Sequence, residues 1–279
     1  MAPPAPLARA VWRAIEPIHA VTYFSDESSE AYAVAGLQGF WMGYFGSRAA
    51  PMGEVGPAVV EATFFNFHPD MVRRAIPDAW SLTSTGELLA VRAAAAAATL
   101  RRLAPGVDDA ARDLLPLLSR AVAAAGAPGR PLFAANREVA LPADPVGALW
   151  QATTTLREHR GDGHVAVLTS EGLDGCEAHV LFAAVNDVPS EVYQRSRGWS
   201  DDDWSAAHGR LRDRGAGRAL HDRIEARTDE LAVAPYAALS ADELDQLLAI
   251  AGRVANAITT SGLYPYPNPI GLPPPNSHS

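Results

Sequence analysis

Residues 84–102 read STGELLAVRAAAAAATLRR. Alanine is the strongest helix former because it loses no side-chain freedom and buries no polar group on entering a helix. Ser84 or Thr85 opens the run with a hydroxyl suited to capping free backbone N–H groups. Arg101 and Arg102 end it with positive charge, as the helix dipole favours. The stretch predicts a helix over 84–102. Segments in which Val, Ile and Thr alternate with polar residues are scarce elsewhere, so the expected fold is mainly α. With 48% apolar and 20% charged residues over 279 positions, the chain has the balance of a globular protein, as one large domain or two of ordinary size.

Outward from this helix, punctuation residues divide the chain. Towards the N-terminus, helices are expected over 6–15 (carrying Trp12), from the Ser25-Asp26-Glu27 cap to Leu37, over 57–67, and over 70–76 after the His68-Pro69 break. Towards the C-terminus they are expected over 108–125, from the Asp144-Pro145 cap to about His159, and over 164–171, 174–185, 200–214, 217–232 and 240–259. Arg160-Gly161-Asp162-Gly163 reads as a break. GAPGRPLFAANREVALPADP, 126–145, reads as a linker between modules 1–125 and 146–260. The proline-rich tail 261–279 is expected to be extended or disordered, because proline denies the backbone its donors. Phe45…Arg48…Pro57…Ala62-Thr63 echoes Phe133…Arg137…Pro145…Ala152-Thr153. The echo fits a tandem duplication, or chance in an alanine-rich chain.

Composition excludes some functions. The net charge of −9 argues against a protein that grips nucleic acid by phosphate neutralisation. Cys176 is the single cysteine, so no disulfide can form within the chain, which fits a cytoplasmic protein. The first residues lack an apolar leader, and no stretch approaches 18 unbroken apolar residues, so no membrane partner is expected. Phosphate-binding and dinucleotide-binding glycine loops, H-E-x-x-H and G-x-S-x-G are all missing, and no cofactor is assigned.

Two features point to ancestry. Trp199-Ser-Asp-Asp-Asp-Trp204 leads into Leu211-Arg-Asp-Arg-Gly215. Gly217-Arg-Ala-Leu220, Ile224–Leu231, Leu239-Ser240 and Glu243-Leu244 follow. This part resembles the recognition helix and succeeding helices of MarR-type winged-helix regulators. The chain as a whole, through motifs such as Glu16–Tyr23, Gly39–Phe45, Asn66–Pro69 and Leu156–His164, resembles an actinobacterial family classed as helix-turn-helix-related. The resemblance implies helix-turn-helix or degenerate winged-helix modules, in a monomeric pseudo-dimer or a homodimer. It departs from MarR in the wing: Gly215-Ala216 leaves no room for two strands. Asp201-Asp202-Asp203 would also face DNA phosphates in the first turn of the reading helix, with Arg210, Arg212 and Arg214 at its far end.

Candidate ligand residues come from aromatic and basic clusters. Trp41, Tyr44 and Phe64 could line a pocket for a flat apolar molecule, with Arg48 pairing an anionic group, or could be ordinary core. Arg157, His159 and His164 could bind an anion, or form a solvated helix end. His19 with Tyr23, and His68, could face a ligand or be hydrogen-bonded core groups. The spacing of His159 and His164 matches no zinc template, so no metal site is expected. The leading expectation is a small hydrophobic or anionic ligand on a MarR-like scaffold that has lost DNA binding. The alternatives are a DNA-binding regulator using Arg210, Arg212 and Arg214, or an enzyme using His68, His159, His164 or Asp162 as acid and base. Convergence of two of these on one pocket with Arg48 would favour catalysis.

Overall fold

A computed structural model describes residues 5–275. It contains fifteen α-helices and, among the described residues, no strand. The first seven are α1 (Ala5–Ala20), α2 (Asp26–Val34), α3 (Gly39–Ala49), α4 (Pro57–Phe64), α5 (Pro69–Arg73), α6 (Ala79–Leu82) and α7 (Thr85–Leu103). Next come α8 (Val107–Ala124), α9 (Pro131–Arg137), α10 (Pro145–Ser170) and α11 (Gly175–Asn186). The last four are α12 (Ser190–Arg197), α13 (Asp201–Asp213), α14 (Arg218–Ala232) and α15 (Ala241–Thr259). No helix among the described residues is long and apolar enough to cross a membrane.

Local chemistry sets most helix starts. Ser25, Ser84, Asp144, Asp174, Ser200 and Ser240 each accept a hydrogen bond from a backbone N–H of the helix they open. That satisfies one of the donors every helix start leaves free. Tertiary contacts decide the rest. The central helix α10 continues unbroken through Arg160-Gly161-Asp162-Gly163 for 26 residues, where a break was expected. A Cβ at position 163 would lie 2.7 Å from Arg130 Nη1. The glycine lets that guanidinium cross α10 to donate to the His159 carbonyl and, at 2.7 Å, to the Leu231 carbonyl.

The expected linker is also structured. Residues 131–137 form α9, whose Leu132, Phe133 and Asn136 are buried. The Asp162 carboxylate accepts a hydrogen bond from Phe133 N–H at 2.8 Å, so α10 caps α9 across 29 residues. One large core joins the two sides of this segment: Val11, Ile18, Leu100 and Leu114 share it with Leu149, Trp150, Leu247 and Ile258. α1 packs on α10, α14 and α15. A smaller core holds the aromatic residues of α3 and α4, and a third joins the end of α10 to α11, α13 and α14. The echoed segments differ in length: α4 has 8 residues and α10 has 26.

The tail is ordered as far as it is described. Tyr264 is buried and its hydroxyl donates to the Pro17 carbonyl at 2.6 Å. Asn268 accepts from Leu272 N–H at 2.9 Å and donates to the Leu272 carbonyl at 2.9 Å, closing a turn. The prolines that cannot donate thus alternate with residues that do. The final four positions, 276–279, lie outside the described residues.

Candidate functional site

A cavity of about 410 Å³ lies between the helical body and the α11–α14 region. That is within the usual range for small-molecule sites, roughly 300–1,000 Å³. Trp12 and Glu16 of α1, Tyr44 and Arg48 of α3, and Phe64 of α4 line one side. Arg157, Glu158, Arg160, Asp162 and His164 enter from α10. The opposite wall is His179 and Phe182 of α11, Tyr193 and Arg197 of α12, and Ile224 and Glu225 of α14. Residues 269–271 and Pro273 of the tail also line it.

The charges on this wall are organised. Arg48 grips Glu158 through two parallel hydrogen bonds of 3.1 and 3.2 Å. Arg157 bridges Glu158 at 2.9 Å and Glu16 at 3.3 Å. Burial alone would push the Glu158 carboxyl up, but the Arg48 and Arg157 charges outweigh it and hold it at about 2. Arg9 and Arg160 share Asp229 and Glu225. Arg197 differs. It is 8% exposed, and its hydrogen bonds go only to the carbonyls of Ser196 and Pro269, at 3.1 and 2.5 Å. It lies over the Phe67 ring at 4.6 Å, and no carboxylate among the described residues pairs with it. Burial lowers its pKa, with the nearby Arg48 charge adding to the effect.

The histidines and Asp162 are perturbed mainly by burial. His164 is pushed down to about 4, although Glu225 pulls the other way, and its Nδ1 meets Thr228 Oγ1 at 2.9 Å. His179, stacked on Tyr193 at 4.7 Å, is lowered by burial and then by Arg197. Asp162 is pushed up to about 6 by burial, partly offset by the Phe133 N–H bond.

The cavity brings together Tyr44, Arg48, Phe64, Arg157 and His164 of the expected ligand residues. The others lie elsewhere. His19 and Tyr23 form a buried layer behind Arg48 and Glu158: the His19 ring bonds Thr154 at 2.9 Å and Tyr23 at 3.0 Å, beside a space of only about 10 Å³. Both ring nitrogens are thereby used. Trp41 packs among Tyr44, Phe45 and Phe67 as core. His68 caps α5, accepting from Asp70 N–H at 3.2 Å, and stands edge-on to Trp199. His159 is not part of the cavity lining and packs edge-on against Phe133 at 5.0 Å. Asp162 and His164 do converge with Arg48, but each is already engaged by the scaffold.

Sequence reading missed Arg197, Glu158, His179 and the tail. Glu158 was within reach of it, because a carboxylate that follows the uncharged run 145–156 of the same helix and stands beside Arg157 needs a partner. Arg197 carried no local signal: it closes α12 and looks like any basic residue of a last helical turn.

The turn 198–200 joins α12 to α13, and α11 packs across α13, giving the three-helix arrangement of a helix-turn-helix unit. The α13 first turn presents Asp201 and Asp202 to solvent, while Asp203 and Ser200 bond reciprocally at 3.0 and 3.1 Å. Arg210 is drawn to Asp174 at 2.6 Å and Glu177 at 2.8 Å. Arg214 donates to the carbonyls of Gly172 and Glu171. Arg212 stays exposed, with Asp213 at 3.6 Å. Four residues, 214–217, join α13 to α14. No curated protein and no solved structure matches this chain. A helix-turn-helix family does match, over residues 8–265. That span takes in every helix from α2 to α15 and both walls of the cavity, and the chain belongs to this helix-turn-helix family.

Proposed function

We propose that this chain binds a small anionic molecule in the cavity between its helical body and its helix-turn-helix unit. The observation that carries this reading is Arg197. A buried guanidinium with no counter-ion costs several kcal/mol, and its side chain lines a cavity of ligand size. A thermal-shift screen of organic acids against neutral analogues tests it. The expected outcome is a raised melting temperature confined to acids, and a broad screen with no stabilising compound would sink the reading.

A second reading, a transcription regulator, is the one that family membership favours. It gains from the intact α12–α13 unit, and the cavity would then be its effector site, because Arg197 ends α12 and also faces the cavity. The acidic first turn of α13 and the engaged Arg210 and Arg214 support loss of DNA binding instead. Retention of the protein on genomic DNA at low salt, weakening steeply as salt rises and lost on Arg212→Ala, would establish the regulator. Absence of retention at low salt would exclude it. Catalysis ranks below both, because Asp162 is held by α9 and His164 by Thr228.

A further inference from the structure

Four buried polar atoms that lack a protein partner belong to residues of the cavity wall: Asn66 Oδ1, Arg160 Nη1, His179 Nε2 and Arg197 Nε. Two of them are unambiguous donors, since guanidinium nitrogens cannot accept. The Asn66 amide and the His179 ring can present either role, so they constrain a ligand less.

The two arginines stand in different charge settings. Beside Arg197, Arg48 and Arg157 are paired with Glu158 and Glu16, whereas Arg197 itself has no carboxylate at ion-pair distance among the described residues. Around Arg160, Arg9 and Arg160 face Glu225 and Asp229, two against two. Arg197 is thus the arginine of this set without a carboxylate partner, whereas Arg160 is ion-paired and keeps one spare donor.

The polar groups also have an order. His179 stacks on Tyr193 of the helix that carries Arg197, Phe182 spans from Tyr193 to His221 near the start of α14, and Thr228 and Asp229, further along α14, hold His164 and Arg160. Arg197, His179, His164 and Arg160 thus follow one another along the cavity. Phe182, Leu181, Ile224 and Val165 supply apolar wall between the ends.

We propose that the cavity takes an extended organic monoanion, with its acid group on Arg197, an uncharged acceptor oxygen on Arg160 Nη1 and an apolar body between. This rests on the reading of the cavity as a ligand site and adds the ligand's charge, polarity and direction. An acid on Arg197 gains a charge-assisted, two-point contact that a neutral group cannot match. A second acid at the Arg160 end would have to compete with Glu225 and Asp229 for the guanidinium groups of Arg9 and Arg160, which those carboxylates already hold.

The test uses the full chain and three rigid probes in calorimetric titrations: 6-hydroxy-2-naphthoate, its primary amide 6-hydroxy-2-naphthamide, and 2-naphthoate. The hydroxy acid is expected to bind at least ten-fold tighter than the amide and several-fold tighter than 2-naphthoate. Arg197→Met should bring the hydroxy acid down to the affinity of the amide and leave the amide unchanged. Met is chosen because it keeps most of the apolar stem of the side chain, and the melting temperature of each free variant is read alongside to separate lost binding from lost folding. Arg197→Lys serves as a second variant, expected to keep part of the preference for the acid. Arg160→Lys keeps the ion pairs with Asp229 and Glu225 and should erase the advantage of the distal hydroxyl. Equal affinity for acid and amide would overturn the assignment of charge while leaving the cavity reading standing. Binding by none of the three would overturn the extended-acid assignment, and the broad acid screen then decides the cavity reading separately.

Discussion

Arg197 and Asp162 are both removed from water, and their surroundings treat them differently. Arg197 keeps its proton and lacks a counter-ion among the described residues, whereas Asp162 is held by one backbone N–H and pushed towards its neutral form. The folded state raises the Asp162 carboxyl from an ordinary 3.8 to about 6. A raised folded value means that the native state binds the proton more tightly than the unfolded chain. Its stabilising effect is complete below about pH 4 and is lost as the pH rises through 6. At neutral pH the wild-type protein therefore carries a penalty that an amide avoids. Asp162→Asn keeps an oxygen to accept from Phe133 N–H and should raise stability at pH 7 by roughly 1–2 kcal/mol. The gain should shrink towards pH 4. Urea unfolding at both pH values checks this, and a variant less stable than wild type at pH 7 would show that the surroundings of Asp162 stabilise its ionised form instead of penalising it.

At the scale of elements, what was legible in the sequence depended on the range of its cause. Helix starts at Ser84, Asp144, Ser200 and Ser240 were legible because a cap acts within three residues. The course of α10 was not, because the reason for Gly163 is an arginine 33 positions earlier. α9 was missed for the same reason: the prolines and glycines of 126–145 suggested a linker, while Leu132 and Phe133 are buried against other parts of the fold. Half of the expected ligand residues reached the cavity. His19, His68 and His159 did not, because sequence cannot tell a histidine bonded to its own scaffold from one facing a ligand. Gly163→Ala isolates the α10 contact. Alanine alone would favour the helix by about 1 kcal/mol, but the new Cβ displaces a guanidinium that bonds two carbonyls. Lost bonds to a charged donor outweigh the propensity gain, at about 1.5–3 kcal/mol each. The expected result is a net loss of about 1–3 kcal/mol in the single variant. In the Arg130→Ala background the same change should be neutral or stabilising. Equal effects in both backgrounds would remove Arg130 as the cause.

At the scale of the whole molecule, the shared core and the buried histidines make one prediction together. Side chains from both sides of 126–145 fill one core, so the two sides of that segment are expected to unfold together. Burial lowers His19 and His179, and takes His159 to about 3 and His164 to about 4. These lowered values mean that the unfolded chain takes up protons that the native state refuses, and stability falls as the pH drops from the ordinary histidine range near 6.5 towards 4. Asp162 opposes the trend with a single proton between about 6 and 3.8. Glu158, held at about 2, adds a further loss below the ordinary carboxylate range. Four histidines against one aspartate leave the acid side strongly unfavourable, at up to about 1.4 kcal/mol per pH unit for each proton taken up. Urea titrations from pH 7 to 4.5 should therefore show one cooperative transition whose midpoint falls steadily. His164→Asn should flatten the slope by close to one proton while retaining a partner for Thr228. A midpoint that stays level over this range would mean that the buried histidines are not neutral in the native state. Two separated transitions would mean that the shared core does not bind the halves into one unit.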